Sequence, residues 1–457
     1  MLLRHPNLPE LGVLADAVRR RKNPEPVVTY IVGRNVNYTN VCWVRCSFCN
    51  FYRKPGEEGG YVLPHQEILR KIQELVDLGG VEVLLQGGLN PALKIDYYED
   101  LFRTIKGRYR VHLHALSTSE IAYVAHISKL TLPRTLERLR AAGMDTLPGA
   151  GAEILADDVR QAIAPLKGPS EAWIEVMREA HRQGMRTSAT MMYGSVETIE
   201  QRVEHLQRLR DLQDRTGGFT AFIAWSFQSQ GTELKTDHPA SGYDYLRTTA
   251  VSRLFLDNID HLQSSWVTQG PKIGQLSLLF GCDDFGSTMM EENVVSAAGT
   301  CFSMPIAEIH RLIGAAGFRP QRRNTLYEWL PTPPPPEVPA ARLAASGAGA
   351  AAASVATAGG ASAGPSRLLQ ITSSESGTAS CAAPAAISAT DPAAAGPAKR
   401  PLQGLSLGGD PQAEQRAPRP ARFEPGRFEP TPHARRLTRP DSLAALEKTL
   451  NIQRPDR

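Results

Sequence analysis

The chain has 457 residues, 42% hydrophobic and 21% charged, with a formal net charge of +4, enough to bury one large core or two to three ordinary ones. Residues 1–330 carry 37 basic and 37 acidic side chains, so the whole surplus lies in 331–457 and the body has no concentrated basic face for nucleic acid. No segment is apolar for long enough to span a bilayer, and MLLRHPNLPELGVLADAVRRRKNPEP has Pro and charge where a signal peptide is apolar. These features predict a cytoplasmic protein with no nucleic-acid or membrane partner.

Residues 1–26 read as a helical lead-in. VVTYIVGRNVNYTN (27–40) is β-branched and alternating, which predicts a strand, and HQEILRKIQELVDLGG (65–80) places Ile68, Ile72, Leu75 and Val76 at helical spacing before a glycine stop. The apolar VEVLLQGG (81–88), the helical DYYEDLFRTIKGRY (96–109), VHLHALS (111–117), a helix ending at 141–143, DTLPGAGAEI (145–154) and WIEVMREAHRQG (173–184) continue the alternation. Next come RTSATMMYG (186–194), a helix over 197–214, FTAFIAWSFQ (219–228), a helix near 243–257 and a strand at HLQSSWVTQG (261–270). A helix near 271–280, a short strand near GCDDFGS and a helical stretch at MPIAEIHRLIGAAGF (304–318) complete the body.

Eight strand-and-helix units predict an α/β fold, a (βα)8 TIM-type barrel over 27–330, with an open doubly wound sheet as the alternative. Asn40, Gln86, His114, Ser117, Glu153, Tyr193 and Gln228 fall at predicted strand ends, where a barrel gathers its active site, although loops also begin there. From Pro331 onward small residues, Pro and Gly replace apolar bulk, which predicts a disordered tail over 331–457. Within it DSLAALEKTLNIQ (441–453) puts Leu443, Leu446 and Leu450 on one helical face, open between a docking helix and a solvated linker end.

Cys42, Cys46 and Cys49 form CxxxCxxC directly after the first predicted strand. Clustered cysteines in a reducing compartment point to metal or catalysis. Structural zinc takes four protein ligands, and Cys282, Cys301 and Cys381 lie far along the chain. Three thiolates suit a 4Fe-4S cluster with one iron left open, and a zinc-stabilised binding protein is the competing reading.

CxxxCxxC with Trp43, Phe48, Phe51 and Tyr52 around it resembles the radical S-adenosylmethionine enzymes. GGLNPALKIDYYEDLFRTIK, HALSTSEI, LPGAGAEIL, ATMMYGSVET and GGFTAFIAWSFQ resemble their subgroup of futalosine-pathway enzymes of menaquinone biosynthesis and deazaflavin synthases. HLQSSWVTQG and GCDDFGSTMMEENVVSAAG are most similar to the cyclase branch. The resemblance implies a 4Fe-4S cluster on Cys42, Cys46 and Cys49, S-adenosylmethionine as cofactor, a flavodoxin or ferredoxin as electron donor, and dehypoxanthine futalosine as substrate. Aminofutalosine synthase and deazaflavin synthase chemistry are the alternatives within the subgroup.

That chemistry implies roles for particular residues. Backbone at Gly87 and Gly88 could approach the methionine part of the cofactor, although Leu89 stands where many radical enzymes carry Glu. Phe48, Ser117, Glu153 and Gln228 are further cofactor-binding candidates. A base is needed for proton loss from the aromatic ring, with His114, Glu120, Asp283 and Asp284 as candidates, the Asp pair serving otherwise to hold sugar hydroxyls. Arg45 and Arg53 are candidates for the benzoate carboxylate. Glu291, Glu292 and Asn293 are expected to open the last short helix, and Cys282 and Cys301 to be buried thiols. The subgroup carries more helical sequence ahead of LRHPNLPELG, so this chain is expected to start inside a helix.

Overall fold

The computed structural model describes residues 2–332 except His238, Thr300 and Cys301; the tail beyond, with its 441–453 stretch and Cys381, lies outside the described residues. The β-branched run after Pro26 forms two strands rather than one, Val27–Ile31 (β1) and Gly33–Asn37 (β2), each buried along its length. Glu82–Gln86 (β3), His112–Ala115 (β4), Thr187–Tyr193 (β5), Phe219–Ser226 (β6), His261–Gln263 (β7), Asp284–Ser287 (β8) and Arg319–Arg322 (β9) follow.

The break at Val32 comes from a change of neighbour. β1 pairs in parallel with β8 on one edge and β9 on the other, whereas β2 pairs with β3. From β2 the order runs through β3 and β4 to Thr146 and Leu147, which bridge to His114 and Thr187, then through β5, β6, β7 and β8 back to β1. With β1 and β2 as one strand and residues 146–147 as another, eight parallel positions close the ring as a (βα)8 barrel.

Helices flank the strands because their apolar stripes need a partner. His65–Asp77 buries Ile68, Leu69, Ile72 and Leu75 along one face, each side chain contributing about 1.5–3 kcal/mol. Leu8–Lys22, with its N-cap at Asn7, joins Leu3, Leu11 and Ala15 to Ala250 and Val251 of the helix Gly242–Phe255.

Three expected elements differ. The helix ending at 141–143 is two, Thr118–Ile127 and Leu132–Ala142, the second opened by Thr131 as N-cap with a proline in its first turn. Residues 145–154 keep only the two bridges, because Pro148 has no N–H to donate and the chain turns at Ala150 and Gly151. The strand expected over 261–270 stops at Gln263, and a helix starts at Trp266.

After β9 the chain turns under the barrel. Arg323, buried, pairs with Asp284 and lies 3.9 Å from the Tyr327 ring, which stacks on His261 at 3.8 Å. Since His261 and Asp284 begin β7 and β8, this plug closes the end opposite the cysteines.

Candidate functional site

Asn40 lies three residues beyond the end of β2 and anchors the loop that follows: its Nδ2 donates to Gly59 O at 2.9 Å and its Oδ1 accepts from Tyr61 N at 2.8 Å. The intervening chain folds back on itself, Cys42 N donating to Arg53 O and Arg53 N to Asn40 O, each at 2.8 Å. Trp43 N reaches Leu89 O at 3.3 Å, and Cys49 N reaches Cys46 O at 3.1 Å. This loop sets Cys42, Cys46 and Cys49 on the wall of a cavity of about 420 Å³ that runs down the barrel interior to Arg323 and Tyr327.

Gly88 is needed here for packing: a Cβ would lie 2.3 Å from Val41 O and 2.9 Å from Cys42 Cβ. At Gly87 it would meet the Tyr38 ring at 2.7 Å. Both glycines also line the cavity, so their absent side chains let the β3 loop touch the cysteine loop.

Burial pushes the Cys46 thiol up to about 12 and raises that of Cys49. Such thiols ionise only against strong positive charge, which iron supplies. Among the described residues no three His, Cys, Asp or Glu side chains converge on a single-ion site. Three thiols on one cavity wall are one short of the four protein ligands that a structural zinc takes and suit a cluster with one iron left open.

Below the cysteines lies a buried ion pair. Lys167 Nζ donates to Glu153 Oε1 at 2.8 Å and sits 5.4 Å from the Phe48 ring centre, with Arg160 3.7 Å from Glu153 Oε2. Burial opposes the Lys167 charge, but Glu153 outweighs it and the ammonium pKa stands above its ordinary value. Glu153 Oε2, Asn35 Oδ1 and Gln86 Nε2 are buried without hydrogen-bond partners, and all three residues line the cavity. Unpaired polar atoms in an otherwise apolar wall mark where a polar ligand fits.

The sequence matches the Radical SAM superfamily over residues 36–209 and the CofH/MqnC C-terminal region over residues 216–335. Cyclic dehypoxanthine futalosine synthase of Halalkalibacterium halodurans is 49% identical over 324 residues, 71% of this chain and 88% of the relative. The chain belongs to the radical SAM superfamily. The Streptomyces coelicolor protein of the same name is 46% identical, covering 72% of this chain and 84% of the relative. Aminodeoxyfutalosine synthase of Thermus thermophilus is 40% identical, covering 70% and 88%. The solved structure of methylornithine synthase shares the fold, with TM-score 0.58 at 19% identity over 70% of this chain and 92% of that one.

This radical SAM enzyme therefore uses a 4Fe-4S cluster and S-adenosylmethionine; the three thiols of Cys42, Cys46 and Cys49 fit a cluster, and the orphaned atoms on the same cavity wall would suit polar parts of a ligand. When bound, these groups supply hydrogen-abstracting radical chemistry; the protein binds, orients and excludes water.

Phe48, Gly87, Gly88, His114, Ser117, Glu120 and Glu153 all line the cavity. Ser117 and Glu120 form the capping box of helix Thr118–Ile127. The Glu120 carboxylate also accepts from Tyr38 OH at 2.7 Å and Gly87 N at 3.0 Å, and burial raises its pKa to about 6. His114 is neutral, burial pushing it down to about 3.

Five candidates are not brought to the cavity. Asp283 receives His261 Nδ1 at 2.6 Å, Leu262 N at 2.8 Å and Asn23 Nδ2 at 3.1 Å and pairs with Arg253; Asp284 is held by Arg323 and Thr29. Both stand where β8 begins, the end away from the cysteines. Arg45 is exposed at a φ of 55°, and Arg53 Nη1 turns back to Tyr52 O at 2.9 Å. Gln228 folds onto Ser226, its Nε2 3.0 Å from both oxygens of that residue.

Of the three residues expected to open the last short helix, only Glu292 does so, accepting from Val294, Val295 and Ser296 N ahead of the turn Ser296–Ala298, while Glu291 pairs with Arg34 and Lys71 and Asn293 donates to Asn37 and Glu291. Cys282 is a buried thiol, as expected. Lys167, Arg323 and Tyr327 are site-lining residues that sequence reasoning passed over. Their local sequence carries no signal, since each acquires its place through a partner distant in the chain.

Proposed function

We propose that this enzyme cyclises dehypoxanthine futalosine in menaquinone biosynthesis, removing hydrogen from the sugar 4' carbon and joining that carbon to the benzoate ring. The observation that carries the reading is the position of the segment most similar to the cyclase branch: Gln263, Ser264, Ser265, Trp266, Val267 and Thr268 form a continuous part of the cavity wall. The relatives that bear the cyclase name exceed in identity those named for sister reactions, which supports the same choice.

Trp225 offers apolar surface to the ring, while Asn35 and Gln86 carry polar atoms without hydrogen-bond partners that suit hydroxyl groups. A flavodoxin or ferredoxin supplies the electron, in the cytoplasm. The test is an anaerobic assay of the iron- and sulfide-reconstituted protein with reductant, S-adenosylmethionine and dehypoxanthine futalosine. A product lighter by two hydrogens should form in step with 5'-deoxyadenosine. Deoxyadenosine without that product would move the substrate to a sister reaction of the subgroup.

A further inference from the structure

Barrel interiors are ordinarily filled by Val, Ile and Leu, yet β4 turns two histidines toward the interior of this one. His112 and His114, two residues apart on one strand face, are joined by a single hydroxyl: Thr146 Oγ1 lies 2.8 Å from His112 Nε2 and 2.7 Å from His114 Nδ1. A hydroxyl has one hydrogen, so Thr146 donates to one ring and accepts an N–H from the other. Ser188 Oγ accepts from Gly149 N at 3.0 Å and lies 3.5 Å from His114 Nε2, where its own hydrogen can turn to that nitrogen. In the tautomer with Nε2 bare, Nδ1–H donates to Thr146 and Thr146 donates to His112, and this is the arrangement the inference uses.

His114 and Ser188 line the cavity, whereas Thr146 and His112 do not. Burial pushes His114 down to about 3 and His112 to about 4, the latter against the pull of the Asp145 carboxylate, so both rings rest neutral. His112 is half-buried and faces Glu82 and Asp145, the latter 32% exposed at the closed end of the barrel.

We propose that His114, Thr146 and His112 form a hydrogen-bonded relay that carries the ring proton released on cyclisation from the cavity to the closed end of the barrel. The inference rests on the cyclase reading and deepens it. Cyclisation forms one C–C bond between the sugar carbon and the benzoate ring, and restoring aromaticity breaks one ring C–H bond. Its proton passes to His114 Nε2, the Nδ1 proton to Thr146, and the hydroxyl proton to His112. Balance requires the electron left on the ring to return to a one-electron carrier of the flavodoxin or ferredoxin class, offsetting the one consumed at the start, so each turnover would release one proton and no net electron. His114 touches the substrate space; Thr146 and His112 act through it and are positioning residues.

The test compares Thr146→Val, which breaks the chain outside the cavity, with Thr146→Ser, which keeps the hydroxyl, by the ratio of cyclised product to 5'-deoxyadenosine. The Val variant should still form deoxyadenosine but lose about tenfold or more in that ratio, and the Ser variant should restore it. An unchanged ratio in Thr146→Val overturns the relay, and loss of deoxyadenosine in both variants assigns Thr146 to the scaffold and overturns it as well. If Thr146→Val does not fold, His112→Gln gives the same readout, where a wild-type ratio again overturns the relay. Wild-type protein that makes deoxyadenosine but no cyclised product removes the substrate reading and the relay together.

Discussion

Replacing Asp283 by Asn tests whether the acid belongs to the barrel floor or to the chemistry. Its carboxylate takes donors from Arg253, His261, Leu262 and Asn23, and the Arg253 side chain beside it is 1% exposed. Asparagine keeps the shape but has one acceptor oxygen, and its NH2 would face N–H donors. The Arg253 guanidinium would remain buried without its counter-charge. Breaking one side of such a pair costs about 3–5 kcal/mol, or a melting-temperature fall of roughly 6–10 °C at about 2 °C per kcal/mol for a chain this large.

Thermal unfolding of the reconstituted Asp283→Asn protein beside wild type reads this directly. A loss below about 1 kcal/mol, the worth of an exposed pair, would refute it. Burial alone would raise the Asp283 pKa, but Arg253 and then His261 draw it below the ordinary carboxylate value. Its stabilisation is therefore complete above the unfolded value of about 3.9 and is lost as pH falls through the lower folded value, an acid limb that the Asn variant should lack. Below its melting temperature the variant should still couple deoxyadenosine to product, and loss of turnover with the fold intact would show that the acid reaches the substrate.

Gly88→Ala should lower bound iron per chain, measured after reconstitution, because its Cβ would overlap Val41 O and crowd Cys42; full iron occupancy would show that the loop yields. Lys167→Met leaves the buried Glu153 carboxylate without its closest cation. It should raise the S-adenosylmethionine concentration for half-maximal deoxyadenosine formation about tenfold or more, and an unchanged value would remove the pair from the cofactor site. Glu120, raised by burial to about 6, holds its proton in the fold after the unfolded chain has released it. Stability should therefore fall as pH rises from about 4.5 to 6, by about 2 kcal/mol at 1.36 kcal/mol per pH unit, and denaturant titrations across that window should lose this slope in Glu120→Gln.

The alternation of apolar runs and amphipathic helices was enough to read a (βα)8 barrel, and CxxxCxxC was enough to read the family, because both signals lie within a few residues of chain. Gln263 to Thr268 were legible as distinguishing residues for the same reason, although their strand ends early and a helix begins at Trp266. Asp283 and Asp284 misled because a short strand near GCDDFGS does not say at which end its acids stand. Pairing with β1 sets them at its start and hands them to Arg253 and Arg323.

Local pattern decided the alternation of strands and helices, though not every boundary, and marked the three clustered thiols. Tertiary structure alone decided the Glu153 and Lys167 pair, the plug of Arg323 and Tyr327, and the hydroxyl shared by His112 and His114. Partners such as Tyr38 and Glu120, 82 residues apart, meet only when the parallel strands close into a ring. The register of that closure fixes which buried polar group finds which partner, and no short-range preference of the chain contains it.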